Sequence, residues 1–479
     1  MDLRHPVTSW RRINLFACLL LLSGCASLNP DRELEIAATT ANRVDSNIEP
    51  ALLWDLPVQA ESPAWNGIEP LTYGNAVAVA IQCDPTLRAA LSMIVEKRAM
   101  FVQQGLPPNP SIAFGIGVAI DGLSGAPALV RGMQALSWLW KNPYRVESAE
   151  AELRAAVYLA AARCVDLSAR TRTGLASILA RQKTLSFDEQ YVSITEKTVE
   201  LVRSMQEAGE LAQLDLDRAL VDHEEAVASM VASRFKLRQV KLELLGTMGR
   251  PTASTDWQAV GLLTPDWQIP ESELDLLDLA ANGRLDVAAS LEEVNRIEGE
   301  LGLARTKRFP EVGFSLNYQQ NFDNTREVLV PGMDLTLPIL DNGEPAIAIQ
   351  NARLDQARMK LLAAAELAQL EVRTSYNMLN EAQARIIIIR DGQLDAAIMA
   401  QERSEAAYTE GEADLNTLLM TQRKRIAVER LLVEQEYQAT EAMCRLRQAV
   451  GGSFNPADNT VPEFDVEAKS QCSEGKTSL

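Results

Sequence analysis

Acidic side chains are concentrated at two places where a glycine predicts a turn, around Gly209 and Gly411. The carboxylates concerned are Glu207, Glu210, Asp215, Asp217, Glu410, Glu412 and Asp414. No lysine or arginine lies between the first and last acid of either group. Gathered around one opening, such acids would act on a cation together, because charges interact over a Debye length of about 8 Å at physiological salt. A charge run of this kind is also typical of a solvated helix surface, and the sequence leaves both readings open.

Catalytic and metal-binding chemistry has little support in the sequence. The chain has two histidines, His5 and His223, and His5 lies in a segment predicted to be removed. One remaining histidine excludes a site built from several histidines and a triad with a second histidine in support. No nucleophile, base and orienting residue cluster along the chain, so we expect neither an enzyme nor a cofactor. A formal net charge of −19 argues against nucleic-acid binding.

The N-terminus has the features of an export signal. Three arginines precede the apolar residues 15–22, a stretch too short to span a bilayer as a helix. It ends in Leu22-Ser23-Gly24-Cys25, which resembles a bacterial lipobox, so Cys25 is predicted to carry acyl chains such as palmitate. By resemblance to lipoproteins, the absence of aspartate after Cys25 favours the outer membrane. The other cysteines, Cys83, Cys164, Cys444 and Cys472, follow no disulfide or zinc pattern, and whether they pair is left open.

The body of the chain is an internal duplication of one structural unit. At an offset of 200 residues, Leu129-Val130-Arg131-Gly132-Met133 matches Leu329-Val330-Pro331-Gly332-Met333, and at 202 residues Gly209-Glu210 matches Gly411-Glu412. We therefore predict a signal peptide at 1–24, an irregular segment at 25–72, repeats at 73–250 and 273–452, a linker at 251–272 and a tail at 453–479.

Each repeat predicts the same order of elements. A helix precedes a proline-marked break, two extended segments, a long helix, a glycine turn and a returning helix. In the first repeat the three helices are predicted at 73–104, 144–208 and 210–248. In the second repeat they are predicted at 274–307, 346–410 and 412–450. The long helices contain no proline and would be roughly 100 Å long, which implies coiled-coil packing. The run of isoleucines at 386–389 is predicted to be helical and buried on every face.

The extended segments alternate in the pattern of membrane strands. Residues 111–120 and 311–318 place large apolar side chains on one face and small or polar ones on the other, and 333–339 form a third such segment. Residues 133–140 alternate poorly, since Trp138 and Trp140 fall on the wrong face. A sheet of a soluble protein with one solvent-exposed face has the same pattern. Four strands cannot close a barrel in lipid, so a chain that spans the membrane through them must oligomerise.

These features resemble the TolC-type outer membrane efflux proteins. The most specific stretch is Ala407-Tyr408 followed by Gly411, Leu418-Leu419, Gln422-Arg423, Glu429, Tyr437 and Val450-Gly451-Gly452. The resemblance implies a mainly α fold with a transmembrane β-barrel: a homotrimer with a 12-strand barrel in outer membrane lipid, continued by a periplasmic α-helical tunnel. It also implies two partners, a periplasmic adaptor protein and an inner-membrane efflux pump.

The resemblance assigns roles to the two turns. Adaptor tips would contact Gly209 and Glu210 in the first turn and Gly411 and Glu412 in the second. Asp215, with Asp217 and Asp414, would line the channel mouth. The second repeat departs from the family by having Asn416 and Thr417 where acids are often found.

The leading hypothesis is a passive export channel of a tripartite efflux or secretion system, opened at its helix turns by the adaptor. The alternative is a structural or tethering periplasmic lipoprotein without channel activity. The sequence identifies neither the cargo nor the cognate pump.

Overall fold

A computed structural model describes residues 28–41, 65–117, 128–264, 269–270, 272–320, 326–464 and 466. The predicted signal peptide, the acylation site Cys25 and Cys472 lie outside these residues. Helix α1, Asp31–Ala41, falls within the segment predicted to be irregular. It is helical because its alanines pack into the core and the buried Glu33 accepts a hydrogen bond of 3.0 Å from Arg98.

The first repeat begins with two helices rather than the single predicted one. These are α2, Tyr73–Cys83, and α3, Pro85–Gly105, which meet at an angle of 53°. Pro85 cannot continue a helix, and the Asp84 carboxylate instead caps α3 by accepting from the Thr86 amide at 2.8 Å. In the described residues no single helix is long and apolar enough to cross a membrane, although the bent pair α2–α3 meets that test when taken together.

The remaining elements of the first repeat are two strands and two long helices. They are β1, Ser111–Ile116; β2, Ala128–Ala135; α4, Trp138–Glu207; and α5, Gln213–Thr247. The prediction that placed Trp138 and Trp140 in a strand is wrong. Strand β2 ends at Ala135, and both tryptophans lie in the first turn of α4, which explains why the alternation fails there.

The second repeat has the same order of elements. They are α6, Glu273–Gly283; α7, Leu285–Arg305; β3, Glu311–Gln320; β4, Glu327–Thr336; α8, Glu344–Ile388; α9, Asp395–Thr409; and α10, Leu415–Ala449. A short π-helix, Ile389–Leu394, joins α8 to α9 into one long rod. The isoleucine run is helical as predicted, but Ile387 and Ile388 are 60% and 61% exposed, so the expectation of burial on every face is wrong for the single chain.

The four strands form one antiparallel sheet in the order β1-β2-β3-β4. Ser111 pairs with Met133, Gly313 with Asp334 and Glu311 with Thr336. This register places the alternate residues of each strand on a common face, as the alternation predicts. One face carries the large exposed side chains Ile112, Phe114, Ile116, Leu329, Met333 and Leu335. The third predicted segment is shifted: β4 ends at Thr336, and Leu337 and Ile339 lie beyond it.

Two equivalent close contacts support the internal duplication. Gly249 has φ 69°, and a Cβ there would lie 2.4 Å from the carbonyl oxygen of Cys83. Gly451 has φ 105°, and a Cβ there would lie 2.4 Å from the carbonyl oxygen of Gly283. In each repeat the returning helix therefore ends against the backbone at the end of the repeat's first helix, where only glycine fits.

Candidate functional site

The two predicted glycine turns have the same backbone geometry. Gly209 and Gly411 have φ 78° and 76°, in the left-handed region that favours glycine. The amide of Glu210 donates to the carbonyl oxygen of Met205 at 2.9 Å, and the amide of Glu412 donates to that of Ala407 at 2.8 Å. With the companion bonds from the glycine amides, each turn forms a Schellman motif that closes the long helix and reverses the chain.

An apolar cluster packs the two turns against each other. Val199 and Val202 from α4, with Leu216 from α5, meet Tyr408 from α9 and Leu415 and Leu418 from α10. All six side chains are buried. The described fold therefore brings together two sets of acids about 200 residues apart in the sequence, at the same end of the helix bundle.

The predicted acids are not equivalent in this arrangement. Glu207, Glu210, Glu410 and Glu412 are exposed. Asp215 is half-buried and lies 3.6 Å from Arg218, a base just beyond the acidic stretch that sequence reasoning did not take into account. Asp217 is exposed and accepts a hydrogen bond of 3.0 Å from Gln213 within its own helix.

Asp414 has a structural role in addition to its charge. It is the N-cap of α10 and accepts from the Thr417 amide at 3.0 Å and from the Thr417 hydroxyl. These hydrogen bonds lower the pKa of Asp414. The equivalent position before α5 is Ala212, whose side chain provides no cap. Thr417, noted as a departure from the family pattern, is thus the residue that holds Asp414 in place.

Tyr408 lies beneath the turns with its hydroxyl buried and without a hydrogen-bond partner among the described residues. Burial raises the pKa of Tyr408, and the negative charge of Asp215 raises it further. Burial and the charge of Asp215 therefore both disfavour ionisation of Tyr408.

Further along the bundle, two buried carboxylates join the repeats. Asp188 on α4 and Asp222 on α5 are each only 1% exposed. Asp222 accepts from Tyr191 at 3.0 Å and from Arg423 on α10, while Asp188 accepts from Ser233 and Arg430. Because a buried carboxylate without a partner is costly, these pairs fix the register of α10 against the first repeat. The sequence pattern gave no signal for them.

The described residues contain no group of three or more His, Cys, Asp or Glu that could hold a metal ion. Cys83, Cys164 and Cys444 are free thiols. Burial raises the pKa of the Cys164 thiol to about 12. Burial also raises the pKa of the Cys83 and Cys444 thiols, which favours the protonated, less nucleophilic form of each.

Residues 276–452, almost the whole second repeat, match the family model of the outer membrane efflux protein. The chain is 22% identical over 357 residues to the cobalt-zinc-cadmium resistance protein CzcC of Cupriavidus metallidurans, covering 74% of this chain and 84% of CzcC. The match extends into the first repeat, because it is about twice as long as the second repeat alone.

Solved structures share the fold. The outer-membrane channel OprN has a TM-score of 0.69 at 18% identity, with 95% of this chain and 99% of OprN covered. The outer membrane protein VceC from Vibrio cholerae has a TM-score of 0.69 at 18% identity, with 80% of this chain and 97% of VceC covered. The family model and these relatives agree: residues 276–452 match the outer membrane efflux protein family, and the chain shares the fold of solved outer membrane channels.

Proposed function

We propose that the protein is a passive outer membrane channel of a tripartite efflux or secretion system. It would form a homotrimer in which three four-stranded sheets close a 12-strand barrel, continued by an α-helical tunnel through the periplasm. Small molecules or ions would leave through this path, and the protein itself would perform no chemistry.

The observation that carries the proposal is the sheet. Strands β1 and β4 are its edges, and one of its faces exposes large apolar side chains: Phe114 is 79% and Ile116 75% exposed. In lipid the apolar face is stable, but each unpaired edge would cost several kcal/mol per polar group. Pairing β4 of one copy with β1 of the next satisfies both edges, and three copies complete the cylinder.

The proposal also covers the lipid anchor at the N-terminus and the periplasmic end of the helical tunnel. We propose that residues 1–24 are removed and that acylated Cys25 holds the chain in the outer membrane. The domain division at 73–250, 251–272, 273–452 and 453–479 belongs to this proposal. The turns at Gly209-Glu210 and Gly411-Glu412 would contact the adaptor, which docks the inner-membrane pump, because both turns are exposed and lie side by side at the end of the bundle.

The identity of the cargo is suggested only by a relative. CzcC is a cobalt-zinc-cadmium resistance protein, and the acids at the turns of the present chain favour cations over anions. We therefore propose that the open channel passes cations preferentially, without a binding site for a particular ion.

Single-channel recording in planar bilayers tests the proposal. The mature acylated protein should sediment as a trimer in detergent and give stepwise currents in the bilayer. A tether, the alternative from the sequence, passes no current. A monomeric particle that leaves the bilayer conductance unchanged would exclude the channel.

A further inference from the structure

An exposed apolar corner follows strand β4. Leu337 is 58%, Ile339 79% and Leu340 fully exposed. The corner is a built turn rather than a loose end: the carboxylate of Asp341 accepts from the amide of Gly343 at 2.9 Å, and Gly343 has φ 78°. Three large apolar side chains within four residues are thus exposed immediately before this turn.

A basic cluster lies against the same corner. Arg305, Lys307 and Arg308 are exposed and, among the described residues, form no ion pair. A Cβ at Gly343 would come within 2.8 Å of the Cβ of Lys307. The corner therefore packs directly on the short 3-10 helix Thr306–Arg308, which follows Arg305, the last residue of α7. In a chain of net charge −19, the sequence has no acid between Glu300 and Glu311.

Two acids lie nearby, and among the described residues neither forms an ion pair with the three bases. Asp341 accepts a hydrogen bond from the Gly343 amide, and Glu344 lies in the first turn of α8. Phe309, beside the bases, is 63% exposed. We call Arg305, Lys307, Arg308, Phe309 and the apolar side chains of Leu337, Ile339 and Leu340 the basic corner.

The basic corner lies at the helix end of the sheet. Glu311 pairs with Thr336, so Phe309 and Leu337 flank the same end of β3 and β4. It continues the apolar strip that includes Leu335 and Met333. In the first repeat the positions equivalent to the three bases are Gly105, Pro107 and Pro108, so the feature occurs once per chain among the two repeats.

We propose that the basic corner binds anionic phospholipid in the membrane leaflet that faces the helices. The apolar side chains would enter the acyl region, and the bases would contact the phosphate of the headgroup. Apolar side chains continuous with a membrane strip and flanked by unpaired bases match a lipid with negative charge. A neighbouring copy is the alternative occupant, and the stability of the trimer in the apolar-to-serine variant below distinguishes the two. The inference rests on the proposed function, which places the apolar face of the sheet in lipid.

Native mass spectrometry of the full-length trimer, incubated with equal amounts of phosphatidylglycerol and phosphatidylcholine, tests the inference. The wild-type trimer should retain phosphatidylglycerol in preference. The double variant Lys307→Gln/Arg308→Gln should lose most of this preference, with the ratio of the two lipids falling roughly tenfold. The matched control Lys236→Gln/Arg238→Gln removes two exposed charges from α5 and should leave the ratio unchanged.

Further arms separate the alternatives. Ile339→Ser/Leu340→Ser should reduce retention of both lipids while the trimer persists, and excess inorganic phosphate should not displace the lipid. Equal retention of the two lipids by the wild type, or an unchanged ratio in Lys307→Gln/Arg308→Gln, would overturn the inference. So would dissociation of the Ile339→Ser/Leu340→Ser trimer, which would make the corner a subunit contact. Normal channel currents with no lipid preference would refute the inference alone, whereas absent currents refute the proposed function.

Discussion

The guanidinium of Arg131 on β2 lies 2.6 Å from the carboxylate of Asp334 on β4, so the two side chains form an ion pair that passes over β3. The pair is on the face opposite Phe114, together with Ser315 and Asn317. On β3, Asn317 is directly paired with Arg131 and Gly313 with Asp334. If the apolar face contacts lipid, this ion pair faces the interior of the barrel. Three copies would then contribute three ion pairs, each with no net charge.

Removing either partner should change the ion selectivity of the channel in opposite directions. Arg131→Gln leaves a ring of three unpaired carboxylates and should shift the reversal potential in a salt gradient toward cations. Asp334→Asn leaves three guanidinium groups and should shift it toward anions. The double variant Arg131→Gln/Asp334→Asn should return near the wild-type value, because its net charge is unchanged. Shifts of the same sign in both single variants would contradict the assignment.

Neutralising the acids at the turns should weaken the preference for cations. The triple variant Asp215→Asn/Asp217→Asn/Asp414→Asn removes nine charges from one end of a trimer, and asparagine at 414 retains the side-chain oxygen that caps α10. Reversal potentials in a potassium chloride gradient should move toward zero, more strongly at low ionic strength. Glu366→Gln, an exposed acid on α8, serves as the control. An unchanged reversal potential in the triple variant would assign the acids to a solvated surface.

The two turns should differ in local stability because only the second returning helix has a side-chain cap. Asp414→Ala should speed hydrogen exchange at the Thr417 amide, whereas Ala212→Asp should slow exchange at Asp215 by adding a cap worth about 1 kcal/mol. The pKa of Asp414 is lowered in the folded state, so its contribution is present above the ordinary aspartate pKa and is lost as pH falls through the lower folded value. Equal exchange in wild type and Asp414→Ala would rule out the cap.

The glycines that end the returning helices should not tolerate a methyl group. Gly249→Ala and Gly451→Ala each add a Cβ within 2.4 Å of a carbonyl oxygen at positive φ. Backbone strain and the clash should cost about 2–4 kcal/mol and lower the apparent Tm of the trimer in detergent. Gly246→Ala, in the last turn of α5 with open space around its Cβ, should keep or raise the Tm. Similar melting of all three variants would show that the close contacts do not contribute.

Much of the fold could be predicted because its signals are local. A left-handed turn needs glycine, so Gly209 and Gly411 mark the chain reversals in the sequence itself. Alternation along β1 and β3 identifies the apolar face, since side chains of a strand point to opposite sides. The same reasoning failed where a contact distant in sequence decides the structure. Helix α1 packs its alanines into the core, and its Glu33 pairs with Arg98, which is 65 residues away in the sequence. The break between α2 and α3 is a different case, because its signal, the capping Asp84 followed by Pro85, is local and was overlooked.

The sequence by itself determined the duplication, the long helices, the strand faces and the positions of the acids, because each depends on residues within a few turns or on a repeat period. Only the tertiary structure decided which charges meet. Arg131 and Asp334 are 203 residues apart, Asp414 serves as a cap, and Lys307 packs against the corner at Gly343. Charge–charge contacts depend on distances of a few ångströms between elements, and no local propensity encodes those distances.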